Sequence, residues 1–210
     1  IGNHDIVQCV KQNSKKYSKE WQDGLFNVDD KDFRVLKITD EEGYDLCKAE
    51  LEKLYPHITF LNNAVFYHEG VRYVGLTVPV SYVQERFLVQ KILASKLIEL
   101  LDGDRSIPTI IISHAPLFNE LSLLSPDSSS YQKEWVCENN QLAQIFSDYN
   151  ILGVIHGHHL IPASSGMIDF REFMGKELFV LCSIYSSLNN GFDLDPVLKQ
   201  LISKQERDDR

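Results

Sequence analysis

Apolar residues along the chain recur at two distinct spacings. Between residues 82 and 101, Val83, Phe87, Val89, Leu93, Leu97 and Leu101 follow one another at short helical steps, and Asp102-Gly103-Asp104 closes the run. Residues spaced in this way gather on one face of a helix. Ile6, Val10, Tyr17 and Trp21 predict another helix over 6–24, stopped by Asp23-Gly24. A further helix opens at Thr39, which makes a capping-box pattern with Glu42. It carries Leu46, Ala49, Leu51 and Leu54 as far as Pro56. Residues 135–149 also read as helix.

The second pattern is a short apolar run bounded by turn residues, which predicts strands over 33–38, 58–61, 64–67, 71–78, 108–113, 151–155 and 177–183. Asn62-Asn63 and His68-Glu69-Gly70 lie at the turns between them. The Ser-rich stretch 117–133 reads as a long loop over one face. Residues 199–210 are highly charged and read as a frayed helix end or solvated coil. With no internal repeat and no linker, the expectation is one α/β domain over 1–198 followed by a charged tail.

Composition changes this picture in three ways. The net charge of −9 argues against broad nucleic-acid binding and against an anionic membrane surface. It leaves room for a small phosphorylated substrate, because a bound divalent cation dominates its local field. The four cysteines, Cys9, Cys47, Cys137 and Cys182, are scattered without a CxxC pair. They read as separate thiols in a reducing compartment, hence a cytoplasmic protein. The chain opens at Ile1 with no initiator Met and no signal-like segment, which suggests a fragment or a processed start. The apolar runs are strand-sized and predict no membrane span.

Candidate chemistry sits at strand ends. In Gly2-Asn3-His4-Asp5 the glycine permits a tight turn, the Asn amide oxygen and the imidazole can face a metal or phosphate, and Asp5 can fix the tautomer of His4. A plain turn is the alternative. His114 follows the apolar run Ile110-Ile111-Ile112 and is either a rim residue or a ligand. His156-Gly157-His158-His159 follows another strand, and a cluster of histidines there points to a metal.

Taken together, GNHD, a lone His after a strand and followed by Ala115-Pro116, and Gly157-His158 resemble the later motifs of the calcineurin-like metallophosphoesterases. The resemblance implies that family's two-sheet β sandwich flanked by helices. It also implies Asn3, His114 and His158 as the ligands specific to the second metal. His4 would contact phosphate and assist the leaving group, with Asp5 as its orienting partner. The implied activity is hydrolysis of a phosphomonoester or phosphodiester, with water activated by divalent Mn, Fe or Zn. His156 then reads as structural and His159 as a variable position.

The departures matter as much. Leu160 stands where the family has the second His of its GHxH motif, a first-metal ligand. The early DxH and GDxxD motifs belong ahead of GNHD, and only Ile1 and Gly2 precede Asn3, so the expectation is an incomplete domain that lacks the first strands and exposes a sheet edge. A register using His156 and His158 as the histidine pair is the alternative alignment. A degenerate domain that binds metal or a partner without turnover is the alternative function. Asn119 and Glu120 read as solvated loop.

Overall fold

Residues 51–54 are helical and stop before Pro56, as the pattern opening at Thr39 predicts. The computed structural model describes residues 48–49, 51–77, 86–101, 103–114, 116–118, 120–121, 140–157, 168–182 and 195–208. The helix expected over 6–24 and the strand over 33–38 lie outside these residues.

The described elements are β1 (Ala64–His68), β2 (Val71–Leu76), α1 (Arg86–Leu101), β3 (Thr109–Ser113), α2 (Asn140–Asp148), β4 (Ile151–His156), β5 (Ile168–Phe173), β6 (Lys176–Cys182) and α3 (Asp195–Asp208). The strands form one six-stranded mixed sheet in the order β1-β2-β3-β4-β6-β5. Its four inner strands run parallel. An antiparallel hairpin closes each side, β1–β2 on one and β5–β6 on the other. Parallel neighbours need a crossover, and α1 and α2 supply those from β2 to β3 and from β3 to β4.

Both hairpins turn through two residues at positive φ, Glu69-Gly70 at 49° and 78° and Met174-Gly175 at 52° and 76°. Paired left-handed residues give a turn whose twist matches the strands, and glycine adopts the second position without steric cost.

Helices cover both faces of the sheet. Leu93, Ala94, Leu97 and Leu101 of α1, with Leu142, Ile145 and Phe146 of α2, bury against Val74, Ile111, Val154 and Val180. On the other face Leu198 and Leu201 of α3 pack with Val71, Ile110, Leu152, Phe179 and Leu181. Two covered faces explain why β3 is apolar on consecutive residues rather than alternately. Each fully buried Leu contributes roughly 1.5–3 kcal/mol.

Two readings are revised. Residues 58–61 form no strand; Leu61 instead lies over β2, where a Cβ on Gly75 would stand 2.8 Å from the Leu61 carbonyl oxygen. β5 was not expected, since its solvent-facing positions Asp169, Phe170 and Glu172 mix charge with an aromatic ring. α3 agrees with the helical reading of the charged tail as far as Asp208 and begins earlier, at Asp195, with Leu201 buried.

At the edge where β2 begins, Arg72 is completely buried. Its Nε donates to Thr109 Oγ1 at 3.0 Å, Nη1 to the Leu101 carbonyl, and Nη2 to the Asp104 carbonyl at 2.9 Å. The guanidinium thus ties the start of β2 to the end of α1 and the start of β3. Lys176 does the same for α2. Its Nζ donates to the carbonyls of Phe146, Ser147 and Tyr149 at 3.1, 2.7 and 2.8 Å. Carbonyls at a helix end lack intrahelical partners, and a cation there satisfies them. Among the described residues, no helix is long and apolar enough to cross a membrane.

Candidate functional site at the carboxyl ends of the parallel strands

β2, β3, β4 and β6 all end at the edge opposite Arg72. Their last in-register row is Leu76, Ser113, His156 and Cys182, one residue from each strand. The row two residues earlier, Val74, Ile111, Val154 and Val180, is entirely apolar and faces α1 and α2. Side chains alternate along a strand, so both rows point to that face. The sheet therefore gains two polar side chains, Ser113 and His156, in its final buried row. Ser113 is 6 % exposed, His156 1 % and Cys182 0 %.

Immediately beyond this row come Thr77, His114 and Gly157. The Gly157 N–H donates to the His114 carbonyl at 3.0 Å, which carries the β3–β4 ladder one step past the strands. His114 is half-buried. The chain after it turns inward, with Leu117, Phe118 and Leu121 buried in the core between the sheet, α1 and α2. The Phe118 ring meets Phe146 edge-on at 5.4 Å and Phe173 at 4.6 Å. The beginning of the expected surface loop is therefore core, while Glu120 is exposed as expected.

At the end of β2, the Thr77 N–H donates to Asn63 Oδ1 at 3.0 Å and Thr77 Oγ1 to Asn62 Oδ1 at 2.5 Å. Asn63 takes φ +44°, a conformation that Asn tolerates better than most residues. Leu61 lying on Gly75 sets the approach of this corner to the sheet. The sequence marked Asn62-Asn63 as a turn, but nothing local linked it to Thr77.

His156 Nδ1 lies 3.1 Å from the Gly157 carbonyl oxygen. A carbonyl only accepts, so this contact is a hydrogen bond in the tautomer that carries its proton on Nδ1. Cys182 is buried and not in a disulfide.

Of the residues singled out from the sequence, the structure places His114 at this edge, beside the Gly157 that leads into His158. Asn3, His4, Asp5, His158, His159, Leu160 and Asn119 lie outside the described residues, as do Cys9, Cys47 and Cys137. Among the described residues, no group of three or more His, Cys, Asp or Glu side chains gathers as a metal site. His114 does fit one: a strand-end imidazole, half-exposed, is the nitrogen donor that Mn, Fe or Zn accepts. Open α/β sheets bind ligands at the carboxyl ends of their strands, and this edge carries Thr77, Ser113, His114 and His156. No family model, no curated protein and no solved structure matches the chain.

Proposed function

We propose that this chain is a metal-dependent phosphoesterase domain of the calcineurin-like type, acting on a phosphomonoester or phosphodiester. The observation that carries the reading is the hydrogen bond from Gly157 to the His114 carbonyl, which brings two motif positions together at adjacent parallel strand ends. Asn3, His114 and His158 are the proposed ligands of the second metal. The six-stranded sheet with helices on both faces is compatible with that family's fold. Its two-sheet sandwich is part of the proposal.

Bound divalent ions would supply Lewis acidity, polarising a phosphoryl oxygen and making hydroxide available near neutral pH. The chain's own groups do the rest. His114 offers an imidazole just past the end of β3, where Gly157 holds its carbonyl and Phe118 downstream is anchored on Phe146. His4 hydrogen-bonds or protonates the departing oxygen, and Asp5 holds His4 in the required tautomer.

The test is titration of the chain with Mn²⁺, alongside hydrolysis of bis(p-nitrophenyl) phosphate. His114→Ala and His158→Ala are each expected to weaken Mn²⁺ binding at least about tenfold, the scale on which metal sites respond to lost supporting groups. Parent-like binding by His114→Ala would sink the reading.

Leu160 favours a second reading, a domain that binds metal without turnover, because it replaces a first-metal histidine of the family motif. Higher hydrolysis in Leu160→His supports this second reading. Full activity with Leu160 in place removes it.

A further inference from the structure

The polar row at the end of the sheet contains a histidine that the phosphoesterase reading leaves without a task. His156 occupies the last position of β4, in register with Ser113 on one side and Cys182 on the other. It is 1 % exposed. Its Nδ1 faces the Gly157 carbonyl oxygen, 3.1 Å away. That carbonyl belongs to the peptide bond leading into His158, and a peptide unit is planar. Fixing the carbonyl therefore fixes the plane of the Gly157 peptide unit. On the other side of the same residue, the Gly157 N–H is held by the His114 carbonyl at 3.0 Å. Gly157 is clamped through its amide and its carbonyl, by β3 and by its own predecessor.

We propose that His156 is the positioning residue of Gly157, at the carboxyl end of β4. It acts through the Nδ1–H bond to Gly157, from a seat walled by Ser113 and Cys182 and packed on the α1–α2 face. The extension to metal binding rests on the reading of His158 as a ligand. In that setting His156 orients the peptide unit that precedes His158, and it does not coordinate. An outer group of this kind typically changes metal affinity about 10- to 100-fold when removed.

Two substitutions separate the donor from the ring. His156→Asn keeps an N–H donor at nearly the same reach, whereas His156→Phe keeps ring volume and loses the donor. The first measurement is amide hydrogen exchange at residues 157–159 in the full chain, without metal. Exchange is expected to be about tenfold faster or more in His156→Phe and close to the parent in His156→Asn, with cooperative melting in both. The second is Mn²⁺ titration. His156→Phe is expected to weaken binding about 10- to 100-fold at unchanged stoichiometry. His156→Asn should stay within about threefold of the parent, and His158→Ala should lose the ion.

Parent-like exchange in His156→Phe overturns the proposal. So does His156→Asn behaving like His156→Phe, which would assign the role to the ring or its other nitrogen. If His156→Phe does not fold, a long-range ¹H–¹⁵N spectrum of the parent decides: a bare Nδ1 overturns the proposal and a protonated Nδ1 supports it. A parent chain that binds no Mn²⁺ yet shows the exchange pattern removes the phosphoesterase reading and leaves the role of His156 in the turn standing.

Discussion

The ring of Phe118 lies 4.6 Å from that of Phe173, joining the segment after His114 to the edge strand β5. Phe146 of α2 completes the cluster, 5.5 Å from Phe173. Aromatic groups so placed dominate local packing. Phe118→Ala is expected to destabilise the protein by about 3–5 kcal/mol in urea unfolding. Hydrogen exchange should accelerate first at His114 and its neighbours, because Phe118 anchors their exit from the edge.

Gly75→Ala tests the corner formed by Leu61, Asn62 and Asn63. The added Cβ would lie 2.8 Å from the Leu61 carbonyl oxygen, and backbone there must shift. A loss of about 1–3 kcal/mol is expected from overpacking. A shift of Leu61 draws Asn62 and Asn63 away from Thr77, so the amide of Thr77 should lose exchange protection. Undisturbed protection at Thr77 would show that the two contacts are independent.

Arg72→Met removes a buried guanidinium from Thr109 Oγ1 and two carbonyls. A buried polar group left without its partner costs about 1–3 kcal/mol, so a loss of at least about 3 kcal/mol is expected by denaturant titration. Arg72→Lys should recover little, because a point-like ammonium cannot reproduce the planar fork that reaches three acceptors.

Asp104 gives a pH signature. Its Oδ1 accepts from the Ser106 N–H at 3.0 Å and from Ser106 Oγ at 2.9 Å. The backbone bond from Ser106, then the hydroxyl bond, lower its pKa below the ordinary value of 3.8, with Arg72 adding a smaller pull. A carboxylate with a depressed folded pKa adds stability above its unfolded pKa and loses it as pH falls through the folded one. The stability difference between the parent and Asp104→Asn is expected to shrink as pH drops through the range below 3.8. A constant difference across that range would mean that the charge contributes nothing.

Much of the inner sheet is legible from local pattern. Ile110-Ile111-Ile112 announces a strand covered on both faces, and the spacing of Leu93, Leu97 and Leu101 announces the helix over it. β5 is not, because an edge strand that leaves Asp169, Phe170 and Glu172 exposed has no clean alternation. The Met174-Gly175 turn was its readable sign. α3 had one too, in Asp195-Pro196, an acidic residue followed by proline at the start of a helix. Residues 58–61 carried a strand-like pattern for another reason, the packing of Leu61 on β2.

For the candidate site, His114 and Gly157 were visible because both follow apolar runs. The row of Ser113, His156 and Cys182 was hidden. It depends on the register between β3 and β4, which shifts between Thr109 and Ile110, so that Thr109 faces Ile151 while Ile110 faces Gly153. No local pattern encodes that one-residue offset, and without it Ser113 would not stand beside His156.

Arg72 and Lys176 place two positive charges at the starts of β2 and β6, against the carbonyl ends of α1 and α2. Those helix ends carry partial negative charge, and the opposite ends carry partial positive charge. Both helices run back from the strand ends, so the two cations offset the negative poles of α1 and α2 at the edge where β2 and β6 begin.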